Sequence, residues 1–215
     1  MIYCISDIHG EYDRYKKMLG LIGLTEKDTL YVLGDVVDRH PNGIDVLLDI
    51  MQRDNVHMCL GNHEDLLYAT LGPVQVFGAR QLWQQNGGSS TRRELLYMRT
   101  KEERLAILRF IESLPDHFNI VVNGEPFHLV HGWPGHTKDV RIWGRPEPIP
   151  TEPPIYGVTT IIGHTPTVYL HGDDGNPFRI WHGPGVIDID CGCGNETEKR
   201  RLACLRLDDM KEFYA

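Results

Sequence analysis

Nowhere does this sequence run to the ~18 consecutive apolar residues that a membrane-spanning helix needs, so no membrane partner is expected. Nor does a charged segment followed by an apolar one, the pattern of a secretory leader, stand ahead of position 7. A cytosolic (cytoplasmic) setting is the expectation. Cysteine is sparse and odd in number: Cys4, Cys59, Cys191, Cys193 and Cys204 in 215 residues. Five cysteines cannot all pair within one chain, and reduced thiols fit the expected compartment. Cys191-Gly192-Cys193 has one intervening residue, where zinc and thioredoxin-type signatures usually have two. It reads as small residues at a strand end and turn. Basic excess is also lacking, since 22 Lys and Arg stand against 30 Asp and Glu, a formal net charge of −8. That argues against nucleic acid as a partner, because such binding rests on many Lys and Arg contacts to phosphates. It leaves room for a phosphate-bearing substrate, since bound metal ions can dominate the local charge.

What is present is an ordinary globular composition, 41% hydrophobic and 24% charged. A chain of this length is expected to form a single domain over 1–215 and to bury roughly 70% of its unfolded surface. Three strand–helix units open it. Ile2 to Ile5, Thr29 to Leu33 and Val56 to Leu60 are apolar, strand-like runs. Tyr12, Tyr15, Leu19 and Ile22 share one helical face, as do Ile44, Leu47, Leu48 and Met51 after the potential cap Asn42. This order suggests a parallel sheet with crossover helices. Residues 65–115 read as a helical cap segment. Trp83 and Asn86-Gly87-Gly88 mark a helix end and turn there, and Thr100-Lys101-Glu102-Glu103 is a capping box opening a helix to Leu114. Phe118 to Val122, Asn123-Gly124 and Pro126 to Val130 read as a hairpin with a two-residue turn. Residues 133–158 hold six of the thirteen prolines and read as an ordered loop beside the site. Further strands are expected near 159–162, 178–182, 186–190 and 202–207.

Five polar clusters follow apolar runs. They are Asp7-Ile8-His9-Gly10, Gly34-Asp35-Val36-Val37-Asp38-Arg39, Gly61-Asn62-His63-Glu64, His131-Gly132 and Gly163-His164-Thr165. Ligand sites of α/β sheets lie outside the carboxyl ends of the strands. On an extended chain Asp7 and His9 would share one face. Asp35 can bridge two cations through its two oxygens. This assigns Asp7, His9 and Asp35 to one metal, and Asp35, Asn62, His131 and His164 to another. Mixed carboxylate, amide and imidazole donors suit manganese, iron or zinc, and manganese is the expected cofactor. Two such ions about 3.5–4 Å apart can activate a bridging water and clamp an in-line displacement at phosphorus. Each cluster also has an ordinary reading: Asp-x-His a turn, Asn62 a helix cap, His131 a strand histidine, His164 a turn residue. No such reading covers all five in this order. Glu64 is expected to support the helix start or a neighbouring ligand, Asp190 to stand behind the ligands, and the other histidines, among them His57, His117, His128 and His136, to be structural or exposed.

The ordered set resembles the phosphoprotein phosphatase branch of the calcineurin-like metallophosphoesterases, in particular bacterial and phage-type serine/threonine protein phosphatases. The motifs run from Ser6 to Thr165, and Ile187-Asp188-Ile189-Asp190-Cys191-Gly192 looks like the strand that closes the family's core. The resemblance implies an α/β (α+β) fold of two packed mixed β-sheets flanked by helices. It implies that Arg39 grips phosphate, that His63 donates the proton to the leaving oxygen, and that Asp38 orients His63. Trp143-Gly144-Arg145 sits where such relatives carry a second phosphate-binding arginine. Surface salt bridges are the plain alternatives for Arg39 and Arg145.

The expected function is therefore a dimetal-dependent phosphomonoesterase acting on a phosphorylated protein or small phosphoester. A hydroxide bridging the metals would attack in line, with Arg39, Arg145 and Asn62 holding the phosphoryl oxygens. A symmetrical dinucleoside polyphosphate hydrolase would use the same ligands. A non-catalytic metal-bound binding module would have no need of Asp38, Arg39 and His63 together. Two departures stand out. His40 replaces the family's glycine after Asp-Arg, and Trp133-Pro134 follow His131-Gly132. Both are expected to crowd the site.

Overall fold

The computed structural model describes residues 1–172 and 175–215. Its strands form two five-stranded mixed sheets. In the first, β1 (Ile2–Ile5), β2 (Thr29–Val32) and β3 (Val56–Met58) run parallel, joined by α1 (Tyr12–Ile22) and α2 (Gly43–Met51). β9 (Ala203–Arg206) adds antiparallel to β1, and β10 (Lys211–Tyr214) to β9. The second sheet takes the order β4-β5-β6-β8-β7, from β4 (His117–Val122), β5 (Glu125–Val130), β6 (Thr159–Ile162), β7 (Trp181–Gly183) and β8 (Val186–Asp188). β5, β6 and β8 are parallel there, with antiparallel strands at both edges.

Strand alternation distributes the core. Successive side chains point to opposite faces. Tyr3 and Ile5 therefore meet Tyr15 and Leu47 of the helices, while Cys4 between them faces Leu129, Ile161 and Ile187 of the other sheet. Each fully buried side chain of the Leu30 or Ile161 kind contributes about 1.5–3 kcal/mol relative to exposure. α1 stops at Gly23, which takes a left-handed conformation (φ 60°) and returns its N–H to Gly20 and Leu19. The β4–β5 turn uses Asn123 and Gly124 with φ of 52° and 88°, as a primed two-residue hairpin turn requires.

Between the sheets' sequences lie α3 (Asn62–Leu71), α4 (Ala79–Gln85), α5 (Ser89–Met98) and α6 (Lys101–Ser113). The capping box of α6 is formed: Glu103 N–H donates to Thr100 Oγ1 (3.1 Å) and Thr100 N–H to Glu103 Oε2 (2.7 Å). Three expectations are corrected and one strand is added. Asn42 precedes α2 but makes no side-chain cap bond, because its own backbone is left-handed (φ 70°). The proline-rich stretch contains a short helix, α7 (Lys138–Trp143), whose first turn is capped by Thr137 Oγ1. The strand expected at 178–182 is shifted to Trp181–Gly183. β10 was not expected at all. All five cysteines are free thiols and buried. No helix among the described residues is long and apolar enough to cross a membrane.

Candidate metal centre

The five clusters sit just past the carboxyl ends of β1, β2, β3, β5 and β6, so the site joins the edges of both sheets. Two cross-sheet hydrogen bonds close that seam. His131 Nδ1 donates to Leu33 O (2.6 Å) and the His164 amide to Asp7 Oδ2 (2.9 Å). The approach is so close that a Cβ on Gly163 would stand 2.5 Å from Asp7 Oδ2. Asp7, His9, Asp35, Asp38, Arg39 and His164 all have positive φ, between 48° and 73°. Left-handed backbone costs a non-glycine residue about 1–2 kcal/mol, and such strain clusters where function over-determines the geometry.

Asp35 is the hub. Its Oδ2 lies 3.3 Å from His131 Nε2 and 3.7 Å from both His9 Nε2 and His63 Nε2. Donor atoms of His9, Asp35 and His63 fall within 4.8 Å of one another, as do those of Asp35, His131 and His164. Asp7 Oδ1 stands 3.7 Å from His9 Nε2, and Asn62 Oδ1 2.9 Å from His131 Nε2. All six expected ligands are buried and contribute to one continuous cluster. His63, expected as a proton donor alone, shares the tight first group with His9.

The donor set fits cations. His131 Nδ1 is committed to Leu33 O and His9 Nδ1 to Val37 O (3.0 Å), which turns each Nε2 inward. His131 Nε2 then faces two acceptors, Asn62 Oδ1 and Asp35 Oδ2. Converging lone pairs repel unless a proton or metal ion lies between them. His9 Nε2 and His164 Nε2 are buried with no hydrogen-bond partner, the condition of a ligand atom awaiting a metal. Electrostatics agree. Burial disfavours an imidazolium at His131, yet the Asp35 carboxylate, aided by Asp7 and Leu33 O, overrides it and pushes the pKa up to about 10. Burial raises the Asp35 carboxyl, and His131 and His63 more than reverse this, holding it well below the usual range. Burial and the His131 charge push His164 down to about 3.

Glu64 explains how Asp35 is held. Its carboxylate accepts from the amides of Asp35 (2.9 Å), Val36 (2.8 Å), Val37 (3.3 Å) and Gly61 (3.2 Å), tying the β2 loop to the start of α3. Ser6 Oγ donates to Asp7 Oδ2 (2.5 Å). Asp190 is 4% exposed; burial, and then the neighbouring Asp7, raise its pKa, and Arg39 opposes this.

Asp38, Arg39 and Arg145 surround the cluster. Asp38 Oδ2 accepts from His63 Nδ1 at 2.7 Å and from Trp83 Nε1 at 2.7 Å. The Asp38 amide donates to Thr91 Oγ1 at 2.8 Å, so α4 and α5 hold this loop from the cap side. Sequence reading missed Trp83 and Thr91 because both contacts span more than 40 positions. Arg39 is exposed. Its charge acts on His9, His63 and Asp190, while that of Arg145 acts on His164 and Asp188. Arg145 also donates to Thr165 Oγ1 at 3.3 Å, and Trp143 sets its ring edge-on to His164, 5.9 Å between centroids.

The two departures have partners outside the ligand cluster. Positions 38 and 39, not 40, take the left-handed backbone, so His40 is accommodated, and its Nδ1 lies 3.4 Å from Glu11. Trp133 packs with Val130, Ile162 and Val186 on the outer face of the second sheet.

Buried carboxylate, amide and imidazole donors at the joined edges of two mixed sheets define a metal-dependent hydrolase class of site. The model of the calcineurin-like phosphoesterase family matches residues 1–205, and the chain belongs to this metallophosphoesterase family, whose members use divalent metal ions. A symmetrical bis(5'-nucleosyl)-tetraphosphatase of Acidovorax ebreus is 45% identical over 74 residues, 33% of this chain and 26% of that protein. A Caenorhabditis elegans protein provisionally named a serine/threonine-protein phosphatase is 43% identical over 68 residues, 29% of this chain and 19% of that protein. The chain thus matches about a quarter or less of the length of these relatives. A protein serine/threonine phosphatase structure from Saccharomyces cerevisiae superposes with a TM-score of 0.66 at 13% identity, covering 100% of this chain and 78% of that one. At that identity the likeness is one of fold.

Proposed function

We propose that this metallophosphoesterase is a phosphomonoesterase whose substrates are phosphoserine and phosphothreonine in proteins. The observation that carries the reading is the pair of exposed arginines, Arg39 beside the His9 group and Arg145 beside His164. A terminal phosphoryl group offers three free oxygens to such a grip. An internal polyphosphate phosphorus offers two, with bulky groups on both sides. Guanidinium suits this task through paired N–H donors.

Asp7, His9, Asp35, Asn62, His131 and His164 would hold two divalent metal ions, manganese the best candidate, with iron or zinc as alternatives. Bound metal supplies Lewis acidity toward water and the phosphoryl oxygens. The chain's own part is positioning and proton transfer. His63 holds a proton readily: burial opposes its charge, but Asp35 and the Asp38 hydrogen bond outweigh it and raise the pKa. Asp38 fixes Nδ1, leaving Nε2 to give its proton to the departing serine or threonine oxygen. Such general acid help is worth about 10²–10⁴ in rate. The cytoplasm is the proposed compartment.

The test is a substrate panel with manganese supplied throughout. Phosphoserine or phosphothreonine peptides should show a higher kcat/KM than diadenosine tetraphosphate. A tenfold preference for the dinucleotide would replace this reading with the polyphosphate hydrolase that the Acidovorax ebreus relative is named for. Absence of turnover on the whole panel, and on an aryl phosphate, would leave a metal-binding module.

A further inference from the structure

The helical cap carries a groove that shares no residue with the metal centre. Its volume is ≈ 260 Å³, and it lies between the last residues of α3 and α5 and the first turns of α6. Five leucines line it, among them Leu71 of α3, Leu95 of α5 and Leu105 of α6, and the other two lining residues are Lys101 and Arg104. No carboxylate lines it. Lys101, Leu105 and Leu108 stand at i, i+4 and i+7, which makes them one stripe of α6. Leu95 is sealed in the core, and Leu71 and Leu108 pack against that core, while Leu105 is 43% exposed. α6 already buries Ile107 and Ile111, so the Leu105 stripe is apolar surface beyond what the fold uses.

Charge indicates what covers it. The chain is acidic overall, at −8, yet residues 92–109 hold six Arg and Lys against three Glu. Arg104 gives Nη1 to the carbonyls of Leu95 and Leu96 (3.3 Å each), which fixes its charge at the groove wall. Neither Lys101 nor Arg104 has a carboxylate partner among the described residues. The groove is smaller than the ~300–1,000 Å³ of small-molecule sites, so it suits side chains of a protein segment. A two-fold pairing with a second copy uses the same patch on both subunits, and would set Lys101 and Arg104 against their own counterparts. We infer that this groove docks an amphipathic segment of a partner protein. Two large apolar side chains, one helical turn apart, would sit on the leucines, and Asp or Glu beside them would face Lys101 and Arg104. Recognition of a helix in a groove takes this form, and the alkyl stems of Lys101 and Arg104 add apolar surface beneath their charges.

A phage library of random dodecapeptides, selected on the whole protein with Leu105→Asp for counter-selection, tests this. The enriched peptides should pair Leu, Ile or Phe with Asp or Glu. Synthesised with a fluorescent label, they should bind wild type in an anisotropy titration, and Leu105→Asp about tenfold or more weakly through the lost apolar burial. Lys101→Glu should weaken them as well, and that loss should shrink in about 0.5 M salt, where exposed charges are screened. A glutamate in the first turn of a helix suits its dipole, so Lys101→Glu remains decisive if Leu105→Asp does not fold. No enrichment over Leu105→Asp, enriched peptides without acidic residues, or equal affinity for wild type and Lys101→Glu would each overturn the site. A dimer, or attachment to phosphatidylserine vesicles, that Leu105→Asp abolishes while no peptide binds would overturn it too, in favour of a second copy or a lipid surface. No turnover is measured, so failure here is distinct from failure of the phosphatase reading.

Discussion

Trp83 Nε1 and Asp38 Oδ2 are 2.7 Å apart, and the same carboxylate oxygen receives His63 Nδ1 at 2.7 Å. An indole from the helical cap is thereby wired to the proposed proton donor. Trp83 is fully buried, and a Cβ on neighbouring Gly88 would overlap its ring, so the indole has little freedom to turn. Trp83→Phe keeps most of the packing and removes the N–H. It should lower kcat about tenfold, ~1.4 kcal/mol in the barrier, with metal content unchanged. The full charge of Asp38 would then fall on His63, so the alkaline limb of the kcat profile should move to higher pH. A purely structural role for Trp83 would change stability and leave that limb in place.

Metal content separates the ligands. Asp35 stands between both donor groups, so Asp35→Asn should reduce binding of both ions, whereas His9→Ala should chiefly reduce one. Elemental analysis of the purified variants reads this directly. Two equivalents retained in Asp35→Asn, with normal turnover, would remove Asp35 from the hub.

The leaving group reports on His63. Its replacement by Asn should cost most with phosphoserine, whose alkoxide must be protonated as it leaves. The loss should be smaller with p-nitrophenyl phosphate, whose leaving group scarcely needs a proton. Because His63 Nε2 also lies 3.7 Å from Asp35, metal content must be measured alongside. Equal losses on both substrates would assign His63 to metal binding or structure instead.

Arg145→Ala should lower kcat/KM for a phosphomonoester by one to two decades, about 1.4–2.7 kcal/mol. Thr165→Val, which removes the hydroxyl that Arg145 contacts, should have a smaller effect in the same direction. An unchanged kcat/KM in Arg145→Ala would return Arg145 to the surface.

Acid stability follows from His128. Its folded pKa is depressed to about 4 by burial and the nearby charges of His117 and Arg141, while an unfolded histidine takes its proton near 6.5. Between those values the unfolded chain binds more protons, so this contribution is full above about pH 6.5 and is lost as pH falls toward 4. Denaturation in chelator should show that decline, and His128→Asn should flatten it. A parallel decline in the variant would place its origin in His164, which is depressed in the same sense.

Much of this architecture was legible because local chemistry agreed with the fold. Apolar runs placed β1, β2 and β6, and the Thr100–Glu103 pair marked the start of α6. The residues of the candidate site could be read because short polar clusters end strands. What escaped was long-range or weakly patterned. β10 follows the tight Asp208–Met210 turn and has one exposed and three partly buried residues, which leaves little periodicity to read. α7 is six residues among prolines. Trp83 looked like a helix-end marker because its partner Asp38 lies 45 positions away. The packing of Trp133 could not be read because its partners Ile162 and Val186 lie far along the chain.

The left-handed backbone at Asp7, His9, Asp35, Asp38, Arg39 and His164 bears on heat resistance. Glycine at any of these positions would relax roughly 1–2 kcal/mol of local strain, yet glycine carries no donor atom. Sequence changes that harden this fold most cheaply are therefore those that disarm it. An ion bound only by the folded chain adds RT ln(1 + [L]/Kd) to its stability. The melting temperature should accordingly climb with manganese concentration, since bound ions would offset the tension built into those turns.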